Sequence, residues 1–162
     1  DFTTKAAFCV TNDTLNKFSG TVKWSLRSAN SKILQFGEYE VTVNALSAIW
    51  LDEIDFLKTD VRHNYLSYTL VSGGETISES TALFTAPKHF EFENPSLSYV
   101  IKGEEITVTA EKFARYVEIY SPDSDFVLSD NYFDLNGGES KTVKLLEGKF
   151  GKINLRSVYD IK

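Results

Sequence analysis

Ser129-Asp130-Asn131-Tyr132-Phe133-Asp134-Leu135-Asn136-Gly137-Gly138-Glu139 is the densest aromatic and turn-forming stretch of the chain. Tyr132 and Phe133 stand between two acidic residues and run into a Gly-Gly pair, where the backbone is free to reverse. The run that follows, residues 140–146, reads as an alternating strand. A segment of this kind is expected to cross one end of a β-sandwich, with Tyr132 and Phe133 packed at that end. By itself it carries no chemistry.

Working outward, the surrounding half of the chain reads as strands. Residues 89–93 and 97–101 are short β-like runs, and Lys102-Gly103-Glu104 turns the chain into residues 105–111. There Ile106, Val108 and Ala110 share one face and Thr107 and Thr109 the other, the period of a half-buried strand. Residues 114–121 place Val117 and Ile119 inward and Tyr116, Glu118 and Tyr120 outward. Residues 126–128 and 152–159 complete the set.

The other half follows the same logic. Residues 4–10 form a first strand, which Asn12-Asp13-Thr14 ends by offering side-chain bonds to its own backbone. Val22, Trp24 and Leu26 alternate with Lys23, Ser25 and Arg27, which makes Trp24 a core residue rather than a ligand platform, on the analogy of the buried Trp of immunoglobulin-like sandwiches. In residues 33–43, Tyr39, Val41 and Val43 lie opposite Glu38, Glu40 and Thr42. Residues 49–56 are less regular and have a helical alternative; the strand reading puts Trp50 on a face with Asp52, Ile54 and Phe56 and leaves its burial open. Residues 65–71 and 76–85 are joined by the hairpin turn Ser72-Gly73-Gly74-Glu75. Strands this closely spaced need a second sheet to cover their apolar faces. The predicted fold is therefore all-β, two sandwiches in tandem. Ala86-Pro87-Lys88 is the expected joint, because proline stiffens its own and the preceding residue; it divides the chain into domains 1–86 and 87–162.

Composition excludes several classes of function. An aromatic content of 14% over 162 residues rules out a disordered polyanion and favours strands. The net charge of −6 comes without a Lys/Arg block, so nucleic acid is not an expected partner. Nor is a membrane, since no apolar run reaches about 18 residues. Cys9, the single cysteine, sits in an apolar run and is expected to be a buried thiol. Asn12-Asp13-Thr14 matches a glycosylation sequon. The chain starts at Asp1 without a charged, apolar leader, as a mature form or a segment of something longer would. The compartment stays open, with a periplasmic or extracellular one favoured.

No constellation for catalysis is legible. His63 and His89 stand in separate connections without a second ligand at useful spacing. Asp123, Asp125, Asp130 and Asp134 are denser but do not fit the twelve-residue calcium loop, and turn formation accounts for them. No Gly-x-Ser-x-Gly elbow is present, and no cofactor is implied. Four aromatic residues are candidate carbohydrate contacts: Trp50, Tyr116, Tyr120 and Tyr132. For Tyr116 and Tyr120 the alternative, packing against the first domain, is the favoured reading.

The first half resembles the immunoglobulin-like domain that follows the catalytic barrel of exo-acting β-mannosidases and related exo-β-glucosaminidases, a glycoside hydrolase group that also contains β-galactosidases. The residues that carry the resemblance are Val10-Thr11-Asn12, Thr21-Val22-Lys23-Trp24-Ser25-Leu26 and Leu83-Phe84-Thr85-Ala86-Pro87-Lys88. The second half is similar to the C-terminal sandwich of those enzymes in Phe113-Ala114-Arg115-Tyr116-Val117, in Leu128-Ser129-Asp130-Asn131-Tyr132-Phe133-Asp134-Leu135 and in the Gly138-Glu139 turn. The resemblance implies two immunoglobulin-like β-sandwich domains in tandem. It further implies a non-catalytic accessory region of a retaining exo-glycosidase whose two glutamates lie in a barrel upstream of Asp1. No Asn-Glu pair like the one carrying that family's acid/base occurs here, so no catalytic residue transfers. The implied partners are the upstream barrel of the same polypeptide and a β-linked mannoside or glucosaminide.

Overall fold

The computed structural model describes residues 3–161; Asp1, where the sequence reading finds no leader, lies outside them. The chain divides into two compact units, Asp1–Ser28 with Lys32–Phe90, and Ala29–Ser31 with Glu91–Lys162.

The first unit is built on its two longest strands. Alternation carries through β3 (Phe18–Ser28) and β4 (Ile33–Val43), which pair antiparallel, and β7 (Asn64–Ser72) and β8 (Glu75–Leu83) extend the sheet to the order β4-β3-β7-β8. Facing it are two short ladders, β1 (Lys5–Ala6) with β6 (Ile54–Asp55), and β2 (Cys9–Asn12) with β5 (Ser47–Trp50). Val22, Leu26, Val41, Val43 and Leu66 from the large sheet meet Phe8, Val10, Phe56 and Phe84 in one core. The Ser72-Gly73-Gly74-Glu75 hairpin forms as its residues demand, with both glycines at positive φ (57° and 82°). Trp24 lies half-buried on this core, its ring edge-on to Phe56 at 5.4 Å, and covers Gly37 on the neighbouring strand. A Cβ at Gly37 would stand 2.6 Å from Trp24 Cζ2, so this position needs a residue without a side chain.

Two expectations change here. The first strand is interrupted and becomes β1 and β2, and Cys9 is exposed rather than buried. After the break the inward positions are Phe8, Val10 and Asn12, which leaves Cys9 and Thr11 facing out. Asn12 is 4% exposed, and its amide donates to the carbonyls of Asn16 (2.8 Å), Asn44 (3.1 Å) and Val43 (3.2 Å). Its Oδ1 accepts from Thr14 N–H (3.1 Å) and Thr14 Oγ1–H (2.8 Å), the local bonding expected of this turn. The nitrogen that a glycan would need is thus committed inside the fold.

The first unit ends in a 3₁₀ turn at Pro87–His89, where a strand over 89–93 was expected; Pro87 takes the first helical position and has no N–H to give a ladder. One sheet of the second unit has the order β12-β14-β10-β9, from β9 (Ser98–Lys102), β10 (Glu105–Thr109), β12 (Phe126–Leu128) and β14 (Ser140–Gly148). The other has the order β13-β11-β15, from β11 (Ala114–Tyr120), β13 (Phe133–Leu135) and β15 (Asn154–Arg156). Ile106, Val108 and Val143 of the first sheet, with Ala110 just past β10, pack on Val117, Ile119, Phe133 and Leu135 of the second. The inward and outward assignments read from alternation on β10 and β11 hold.

Two further corrections fall in this unit. The stretch quoted at the outset does not merely cross the sandwich end: Phe133–Leu135 is a strand of the three-stranded sheet, followed by the Gly137-Gly138 turn. The run expected as a strand over 152–159 yields β15 only, then a single helical turn, α1 (Val158–Ile161), where the Asp160 carboxylate accepts the Ser157 N–H at 2.7 Å.

Replacing Asn12 by Ala leaves buried carbonyls without donors and is expected to cost about 2–3 kcal/mol, read as a lower urea midpoint at unchanged slope; a loss under about 0.5 kcal/mol would refute the bonding described. Gly37→Ala is expected to displace the Trp24 ring, at a cost of about 1–3 kcal/mol, and an unaltered near-ultraviolet dichroism of the variant would contradict it.

Candidate functional site

Strand β11 is the element on which the exposed aromatic groups depend. It pairs with β13 at Ala114↔Leu135 and Val117↔Phe133, so two residues on β11 stand opposite one on β13. This is a β-bulge. Tyr116, the extra residue, adopts φ 53°, and its N–H is taken by the Asp134 carboxylate at 2.9 Å instead of by a ladder carbonyl. One strand length further on, Asn131 takes the place of a missing strand residue. Its Oδ1 accepts Ile119 N–H (2.9 Å) while its Nδ2 donates to Ile119 O (3.0 Å), and the same Oδ1 accepts Tyr132 N–H (3.0 Å). Tyr132 at φ 60° then turns its ring out while Phe133 turns in.

The rings thrown outward are held by polar partners. Tyr132 is 59% exposed, not packed at the sandwich end as expected, because the positive φ separates its direction from that of Phe133. Its hydroxyl donates to Glu118 Oε1 at 3.0 Å. The other Glu118 oxygen accepts from the Arg156 guanidinium, which also lies 5.0 Å from the centroid of the half-buried Tyr120 ring. Tyr120, Glu118, Arg156 and Tyr132 therefore form one connected array across β15, β11 and the lead into β13. Tyr116, 49% exposed on the same strand, carries the Arg115 guanidinium at 4.8 Å over its ring. Trp50 belongs to the first unit, ends β5 and is 73% exposed. Its periodicity with Phe56 is broken by residues 51–53, which pair with nothing in a ladder, so Phe56 enters the core and Trp50 does not. Of the four aromatic candidates the structure joins Tyr120 to Tyr132, sets Tyr116 on the same strand as Tyr120, and has Trp50 in the first unit. Glu118 and Arg156, which complete the array, were not singled out as site residues; the outward position of Glu118 was legible, the pairing with Arg156 was not, because β15 is short and its register is set by non-local contacts.

The hydrogen bond and charge of Arg156, aided by the Tyr132 hydroxyl, hold the Glu118 carboxyl below its ordinary 4.5. The same bond pushes the Tyr132 phenol above its ordinary 10.0. A carboxylate so engaged serves as a structural acceptor and not as a proton carrier. The aspartates play similar roles: Asp130 pairs with Lys141 at 2.8 Å, and Asp123 accepts from the Ser121 hydroxyl (2.6 Å) and Lys152 N–H (2.9 Å). Among the described residues no three His, Cys, Asp or Glu side chains converge as metal ligands.

Because the folded carboxyl of Glu118 titrates below its unfolded value, its contribution to stability is present in full above the ordinary 4.5 and is lost as pH falls through the folded value. The thermal midpoint of Glu118→Gln is therefore expected below that of the parent at pH 7, with the gap closing as pH falls below the ordinary 4.5 and through the lowered folded value. A gap independent of pH would show that the charge is not what matters.

Comparison with curated protein sequences found no match. Among solved structures, the chain is similar to a β-D-mannosidase from Dictyoglomus thermophilum at TM-score 0.77 and 18% identity, covering 95% of this chain and 20% of that one. It is also similar to the Amycolatopsis orientalis exo-chitosanase CsxA at TM-score 0.55 and 15% identity, over 86% of this chain and 22% of that one. The chain thus spans about a fifth of the length of the solved structures it matches. A family model described as an Ig-fold domain matches residues 92–161. Since the model described as the mannosidase Ig/CBM-like domain matches residues 4–89, over half of the 162 residues, the chain belongs to that family.

Proposed function

We propose that this chain is the non-catalytic accessory region of a β-mannosidase-like exo-glycoside hydrolase and supports the catalytic barrel of the same polypeptide by domain packing. The observation that carries the reading is the match of two accessory-type domains, in order and almost end to end, to the chain. The chemistry of the exposed groups agrees with it. Glu118, the acid at the centre of the aromatic array, is occupied by Arg156 and Tyr132, and a retaining glycosidase needs two carboxyl groups facing each other across a sugar. On this reading the acid/base and the nucleophile both reside in the barrel, and the β-linked mannoside or glucosaminide is the barrel's substrate.

A second reading, carbohydrate binding by exposed aromatics, is favoured by one observation, the 73% exposure of Trp50. An indole ring left open on a sandwich surface suits the apolar face of a pyranose. Tyr116 and Tyr132 serve this reading less well, since Tyr116 carries a guanidinium over its ring and Tyr132 donates its hydroxyl.

Two measurements separate these readings. The isolated chain is expected to show no turnover of an aryl β-mannoside, and removal of residues 1–162 from the longer polypeptide is expected to lower the thermal midpoint of the barrel. Turnover by the isolated chain, or a barrel indifferent to the removal, would overturn the packing role. Heat of binding to β-mannobiose or chitobiose that disappears in Trp50→Ala would establish the second reading in its place.

A further inference from the structure

The two sheets of the second unit leave a cleft of about 430 Å³ at one side, where the exposed edge strand β9 and the edge strand β15 run past one another. Its walls come from the 94–97 segment, β9, the end of β11, β15 and α1. The cleft is open to solvent and predominantly polar. The groups it presents are two phenol rings, Tyr99 and Tyr120, with Asn94, Ser96, Asn154 and Asp160.

The chemistry of these six is specific. None is cationic, so nothing in the lining compensates a phosphate, sulfate or carboxylate, and Asp160 repels one. The side chains of Asn154 and Tyr99 and the Ser96 hydroxyl have no hydrogen-bond partner among the described residues. The other groups are held in place by neighbours. Asn94 is fixed through its Oδ1, which accepts Ser96 N–H at 2.9 Å, and this leaves its amide hydrogens uncommitted. Asp160 is fixed through Oδ2, which takes Ser157 N–H and hydroxyl, and Oδ1 remains. Tyr120 is fixed by the Arg156 guanidinium over its ring. Pre-set neutral amides, hydroxyls and one carboxylate beside phenol rings match a ligand with many vicinal hydroxyls and an apolar C–H face.

We infer that this cleft is a non-catalytic binding site for a neutral pyranoside, with Asn94, Asn154 and Asp160 bonding ring hydroxyls and Tyr99 and Tyr120 contacting the sugar body. It shares Tyr120 with the array on β11 and has no Trp50 in its lining, and it stands whether or not the packing role above holds.

The test uses the ¹⁵N-labelled full chain titrated with methyl β-D-mannopyranoside, methyl β-D-glucopyranoside and, as a neutral polar control of another class, tetra-alanine peptide. Saturable shifts are expected at the Asn94 and Asn154 side-chain amides and at Tyr120 N–H for at least one glycoside. Asn154→Ala and Tyr99→Ala are expected to weaken that glycoside about tenfold, whereas Trp50→Ala leaves it unchanged; the thermal midpoints of the variants show that each is folded. Tyr99, on the edge strand, provides the result if Asn154→Ala does not fold. Shifts absent up to the solubility limit of both glycosides, shifts that Trp50→Ala abolishes, or equal shifts with the peptide would each overturn the site.

Discussion

Every buried or laddered backbone group must find a partner, and in both units a side-chain amide supplies partners that the strands do not. Asn12 closes the end of β2 by serving carbonyls from three different residues, and Asn131 bonds both the N–H and the carbonyl of Ile119 as a neighbouring strand would. Such groups are costly to leave unmade, more so than they are rewarding to make. A Gln or Asp at either position has the wrong reach or lacks the donor. The sandwiches are thus continuous hydrogen-bonded structures in spite of short strands, a bulge and an interrupted first ladder.

The bulge has a consequence beyond bonding. It gives Tyr116, and the Asn131 turn gives Tyr132, a positive φ that directs a large ring to the surface, where aromatic and charged groups satisfy one another. Arg115 and Arg156 lie over Tyr116 and Tyr120, and Tyr132 donates to Glu118. An exposed ring with an occupied face and a committed hydroxyl is a fixed surface feature rather than an open platform. This distinguishes the sheet face of the second unit from Trp50 in the first.

Alternation made most of this architecture legible. Where one face is covered and the other wet, as on β10 with Ile106 and Val108 against Thr107 and Thr109, period two states the strand and its inward side together. Legibility ended where that condition fails. The run 6–10 is apolar throughout, so nothing in it says that a break puts Phe8 and Val10 inside and Cys9 outside. Phe133–Leu135 is too short for a period to show, and its strand character comes from the partner, β11. Residues 157–161 form a helical turn because Asp160 captures Ser157 N–H, a local contact that competes with the ladder. The Tyr120–Arg156–Glu118–Tyr132 array joins residues up to 38 apart in sequence. It depends on the register of β15, which no local signal encodes.

Edges explain why an open site would lie where the cleft is. On the outer side of β11 the sheet face is closed by mutual contacts of its own side chains. An edge strand lacks that constraint: every residue of β9 is exposed, and β15 is too short to cover what lies behind it. Natural edges are usually protected from pairing by charge, shortness or a covering loop. Here the 94–97 segment and α1 flank the opening, and the groups they add, Asn94, Ser96 and Asp160, are polar and anchored to their own backbone. They wet the gap between the sheets while keeping its walls in place. The same exposed backbone that makes an edge a hazard for aggregation thus becomes, when framed in this way, a part of the second unit whose polar groups are positioned and still available.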